Sequence, residues 1–264
     1  MANRFIKYEK ALLQIAGNNI LAETAELGVE ASVQPITNVT GSVIRYAPTG
    51  PVKGTLSFSH YCTGAFHGFL NPLTAVEHTD EPLSGSLAGM AFESGYLRGL
   101  SFSVSPYAPI LFTSQMDIYG SITALSDGES DNMLRDQTQL SHSLRTYMGG
   151  TDIKVNKKVS FDYSVSCERH PMVTIGNDGP SRVTKENVRI SLGVAGEDIG
   201  DMVAITGNYA ALNINVFDTY GTSPLTTFGC TGQIFSQRLS IREGGYIDGT
   251  VSVSQEYVTG RRLY

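Results

Sequence analysis

The chain has 264 residues, 41% hydrophobic and 17% charged, with 25 acidic against 19 basic side chains and a formal charge of −6. That is apolar material for one large β domain or two of about 125 residues each, which excludes a disordered chain. The acidic balance, with no basic tract longer than the pairs Lys157-Lys158 and Arg261-Arg262, argues against a nucleic-acid binder of the basic kind. No stretch approaches the roughly 20 apolar residues of a spanning helix, and no basic-then-apolar leader opens the chain. The expectation is a chain made in the cytoplasm with no membrane partner.

Along the chain the leading signal is period-two alternation, which sends apolar side chains to one face of a strand and polar ones to the other. Leu56-Ser57-Phe58-Ser59 and Leu100-Ser101-Phe102-Ser103-Val104-Ser105 show it in the first half. In the second half it returns in residues 159–166, 188–192, 212–216 and 251–254. Turn chemistry separates the runs at Pro48-Thr49-Gly50-Pro51, Asn177-Asp178-Gly179-Pro180, Gly244-Gly245 and Asp248-Gly249. Between the halves, Leu134, Gln137, Leu140 and Leu144 have helical spacing with Asp131 or Asn132 as a cap, so a helix is predicted over 131–148, ended by Gly149-Gly150. Alternation also lapses over 62–70 and 196–202, where short helices are expected. The fold class expected is all-β, mainly antiparallel and sandwich- or barrel-like, with one or two short helices. Its units are residues 1–127, a connector over 128–154, and residues 155–264.

The halves also echo each other. Leu100-Ser101, Tyr107 and Ser114-Gln115 recur in order as Leu239-Ser240, Tyr246 and Ser254-Gln255, a shift of 139 and then 140 positions. Gly50-Pro51 recurs as Gly179-Pro180 at a shift of 129. An internal duplication is expected, with a longer loop between Pro180 and Arg238.

The residues able to carry chemistry do not converge. His60 and His67 flank Cys62 without an acidic partner or an H-E-x-x-H pattern; His78 lies in a polar, Pro-containing stretch; His142 falls in the predicted connector; and His170-Pro171 reads as a turn or strand edge. No G-x-S-x-G elbow is present, Gly193-Val194-Ala195-Gly196 lacks the Lys-Ser/Thr of a phosphate loop, and adjacent Glu197 and Asp198 would point to opposite faces of a strand. Cys62, Cys167 and Cys230 are odd in number and scattered, which fits isolated thiols rather than a disulfide framework or a zinc site. Asn38-Val39-Thr40 is a glycosylation triplet by pattern alone. The expectation is therefore a non-enzymatic protein with no catalytic residues, no cofactor and no metal site.

Two β-rich, acidic units with long alternating strands resemble the tail tube proteins of tailed bacteriophages; the resemblance rests on residues 42–59 and 100–121, and on 161–192 with 239–258. It implies a virion protein of the tail that joins with copies of itself into a ring, as a trimer with pseudo-six-fold symmetry when two units share a chain. Such rings stack, contact other tail or baseplate proteins, and pass DNA through the lumen without specific binding. A tube-like baseplate hub uses the same units in a single ring. Residues 64–86 and 197–232 are the stretches expected to make the stacking contacts. The competing class is a β-sandwich module for receptor recognition on a particle surface, for which the absence of Trp removes the commonest aromatic platform.

Overall fold

The structure is a computed structural model of the chain, and it describes residues 12–20, 22–61, 73, 80–105, 108–123, 146–149, 156–177, 179–198, 209–217, 224–241, 247–258 and 261–262. In the first half the strands are β1 (Leu13–Ile15), β2 (Asn18–Ile20), β3 (Ala22–Glu30), β4 (Val33–Thr37), β5 (Val43–Pro48), β6 (Lys53–Tyr61), β7 (Leu83–Leu87), β8 (Met90–Val104) and β9 (Leu111–Tyr119). The second half supplies β10 (Thr146–Gly149), β11 (Asn156–Met172), β12 (Arg182–Asp198), β13 (Tyr209–Phe217), β14 (Pro224–Ile241), β15 (Ile247–Val258) and β16 (Arg261–Arg262). Every alternating run named above falls inside one of these strands, save that Ser105 lies just past the end of β8, and burial follows its phase: in β11, Phe161, Tyr163, Val165 and Cys167 are buried while Asp162, Ser164 and Ser166 are exposed.

No helix occurs among the described residues of the expected helical stretches. Most of 131–148 lies outside the described residues, but Thr146–Gly149 is β10, laddered onto β13; pairing with an open strand edge outweighs the local leucine spacing. Residues 62–70 also lie outside, and of 196–202 the described part, Gly196 to Asp198, continues β12. Asp248-Gly249 is not a turn: both residues sit in β15 opposite Ser240 and Leu239, because β14 runs on far enough to pair them.

All strands except β4 and β5 join one sheet through antiparallel ladders. In the first half the order is β3-β6-β9-β8-β7-β1, and in the second it is β11-β12-β15-β14-β13-β10. The two orders are the same topology, with elements taken in the same chain sequence. A β-bulge marks the same place in both. The register of β8 on β9 shifts between Leu97 and Gly99, opposite Met116 and Gln115. That of β14 on β15 shifts between Ile234 and Ser236, opposite Val253 and Ser252. One shift of 137 positions superposes both strands of both hairpins (97 to 234, 116 to 253). The duplicated pattern is therefore present, at 137 rather than the 139 and 140 of the letter match. A shift of 140 would set the fully buried Ser114 against the half-buried Ser254, on opposite faces.

The halves are joined by strand pairing as well as by chain. One edge of β8 is shared: its first part pairs β7, while residues 99–104 pair Phe161 to Ser166 of β11. The sheet then folds over itself. In pairing order β14 is four strands from β8, about 19 Å if flat, yet the Phe228 ring of β14 lies 4.7 Å from Phe102, 5.1 Å from Tyr163 and 5.7 Å from Phe112. This aromatic contact is the centre of one apolar cluster that draws on both halves, in a sandwich-like all-β fold.

Candidate assembly interface

The histidines are separated by the fold. His60 is buried on β6, stacked on Phe58 and tilted against Phe112 at 5.5 Å, with Nδ1 3.3 Å from the Tyr61 carbonyl, so it packs as a core ring. His170 is exposed on β11 between Glu168 and Glu186, at 3.6 and 3.8 Å. His67, His78 and His142 lie outside the described residues, as does Cys62. Among the described residues no three His, Cys, Asp or Glu side chains are close enough to share a metal ion. Cys167 and Cys230 are buried free thiols whose Sγ atoms point at the carbonyls of Leu97 and of Ile190 and Val253. Burial pushes Cys167 up to about 11, partly opposed by nearby Arg169, and Cys230 up to about 12.

A buried ionic cluster was not legible in the sequence, since its members are far apart along the chain. Asp80, ahead of β7, lies 2.6 Å from Arg169 of β11 and 3.1 Å from Lys185 of β12, all three almost wholly buried. Arg169 also donates from Nε and Nη2 to the Leu97 carbonyl in β8 and stands over the Tyr96 ring. Beside it Tyr96, Tyr119 and Val183 form a small apolar cluster. Burial, with Asp117 nearby, pushes the Tyr119 phenol up to about 12. Cations from the second half are thus locked onto one carboxylate of the first, which fixes how β11 and β12 run past the end of β8 and β7.

What the surface offers is edges and apolar arms. The ladder from β13 stops at Gln233, so among the described residues one edge of β14 from Ser236 to Ile241 has no partner strand. Among the described residues the outer edge of β3 over residues 25–30 has none either, because there β3 pairs β6 alone. The exposed large apolar side chains among the described residues lie in three places only. Val29, Val33, Ile36, Val39, Val43, Ile44 and Tyr46 follow the β3 edge into the β4–β5 arm; Met172, Val173 and Ile175 sit on the β11–β12 tip; Phe235 sits at the bulge of β14 and Leu239 on its open part. The first two places are the same element of the repeat, since β4 and β5 are inserted between β3 and β6 as the tip is between β11 and β12. At the tip of the first arm Asn38 Oδ1 accepts from the Thr40 and Ser42 amides and holds the turn. The stretches expected to make stacking loops are largely strand where described: 64–86 includes most of β7, and 197–232 includes β13 and the start of β14.

On the polar face, above the β8–β11 junction, lies a shallow groove of about 510 Å³ lined by Ser101, Ser103, Thr113, Asp162, Ser164 and Ser252 among others. Among the described residues its lining holds one acid and no Lys or Arg. Comparison with protein-family models and with curated proteins finds no match to this chain.

Proposed function

We propose that this chain is a structural protein that joins head to tail with copies of itself into a closed ring, as a virion tail component forming a tube or its hub, and catalyses no reaction. The observation that carries this is the repeat. Inside one chain, unit one is joined to unit two by pairing β8 with β11, and the two open edges, on β3 and β14, are the repeat equivalents of those same strands. An interface between unlike surfaces propagates around a fixed rotation until it closes, and closure hides edges that would otherwise aggregate. Three chains would set six units around a pseudo-six-fold axis. The apolar arms, one per unit, suit contacts between stacked rings. The hydroxyl-lined groove, with no cation to hold a phosphate, suits the wall of a conduit for DNA.

Negative-stain electron microscopy of the purified chain over a range of concentration and salt tests this. Rings with a central opening, or rods built from them, are expected. Isolated particles of single-chain size at every concentration would overturn the reading and favour the receptor-binding module.

A further inference from the structure

Resting on that reading, we infer the residues at which one copy meets the next: residues 25–30 of β3 pair antiparallel with residues 241–236 of β14 in a neighbouring chain, Leu27 opposite Leu239 and Gly28 opposite Arg238.

The register follows from the ladders already described. Ser114 of β9 corresponds to Val251 by the bulge-anchored shift of 137. Ser114 pairs Phe58 and Val251 pairs Val194, so Phe58 corresponds to Val194. Phe58 pairs Ala25 and Val194 pairs Phe161, so β3 corresponds to β11 with Ala25 on Phe161 and Leu27 on Tyr163. Within the chain Phe161 pairs Val104, Tyr163 pairs Phe102 and Ser164 pairs Ser101. Carrying β8 onto β14 by 137 places Ala25 opposite Ile241, Leu27 opposite Leu239, Gly28 opposite Arg238 and Val29 opposite Gln237.

Two features agree with this register. Faces match: Leu27 sits beside buried Leu56 and Leu239 beside buried Val251 and Gly249, so both point to the core side, as Tyr163 and Phe102 do. Leu239 is 53% exposed at the position where Phe102, its equivalent, is buried, which is the state expected of a core residue whose covering strand comes from another chain. Charges match: Glu26, Gly28 and Glu30 share the polar face, so Arg238 would lie diagonally between two carboxylates, with the glycine leaving room above the strand. Glu30 also stands opposite Lys53 on β6, which leaves Glu26 as the stronger partner.

The test uses the full-length chain. A Leu27→Cys chain mixed with a Leu239→Cys chain is expected to give an interchain disulfide under mild oxidation, whereas each alone gives little, because the contact joins unlike edges. Val33→Cys with Leu239→Cys is the off-register control. Arg238→Glu is expected to weaken assembly by at least about ten-fold, and combining it with Glu26→Lys and Glu30→Lys is expected to restore it. Crosslinking of each single-cysteine chain with itself, or parent-like assembly of Arg238→Glu, would overturn the register while the ring reading stood. A parent chain that never assembles would overturn both.

Discussion

Removing the Phe228 ring should destabilise both halves together. The ring is 6% exposed and touches Phe102 and Phe112 from the first half and Tyr163 from the second. Phe228→Ala leaves a cavity where those rings meet and is expected to cost roughly 3–5 kcal/mol. Phe228→Leu retains most of the volume and should cost about 1.5 kcal/mol or less. For a chain of this size about 1 kcal/mol corresponds to roughly 2–4 °C in Tm, so the alanine variant should melt on the order of 6–20 °C lower. The assay is urea and thermal unfolding at one fixed protein concentration, since assembly shifts apparent stability. A double-mutant cycle with Phe102→Leu should give a coupling of at least about 0.5 kcal/mol. An alanine variant within about 1 kcal/mol of the parent, or no coupling to Phe102, would refute the folding-over of β14 onto β8.

Three further outcomes follow from the core. Asp80→Ala removes the carboxylate that pairs buried Arg169 and Lys185 and should destabilise by about 3–5 kcal/mol in denaturant titration, with Asp80→Asn between it and the parent. Gly232→Ala drives a Cβ into the Ser254 carbonyl oxygen, so the variant should lose soluble expression, whereas the same change at Gly50, with open space around it, should not. Cys167 and Cys230 should resist alkylation at pH 8 until the chain is unfolded. Both thiols are raised by burial above their ordinary value of about 9, so full stability holds below that pH. Above it the unfolded chain releases protons that the folded chain keeps, and stability should fall between about pH 9 and 11, by up to ~1.4 kcal/mol per pH unit for each thiol. Stability rising over that window in a pH series would contradict the burial of these groups.

Much of the fold was legible because alternation is a direct print of strand phase: the polar serines of β8, β11 and β15 mark which face meets water. The Gly-Pro match at 50 and 179 marks the turn just ahead of β6 and of β12 but not equivalent positions, since the ladders set Phe58 on Val194, a shift of 136 against the 129 of the pairs. Other features had weaker signals. The β1–β2 and β7–β8 turns are Ala16-Gly17 and Ala88-Gly89, both residues of each at positive φ, and Ala in the first position hides the usual Asn-Gly or Asp-Gly mark. The repeat was visible but misaligned, because a Leu-Ser identity two positions away outweighs a bulge that has no letter of its own. The open edges could not be read at all: β3 and β14 alternate like paired strands, and only the ladders show where a partner stops.

Closure is tested most directly by the mass of the purified chain in solution, followed as concentration rises. A closed ring predicts one species that ceases to grow in chain number. For six units that species is a trimer of about 85 kDa, three times the 28.4 kDa chain, or a stack of such rings. A continuous ladder of dimers, trimers, tetramers and beyond with no preferred size, or a monomer throughout, would contradict it.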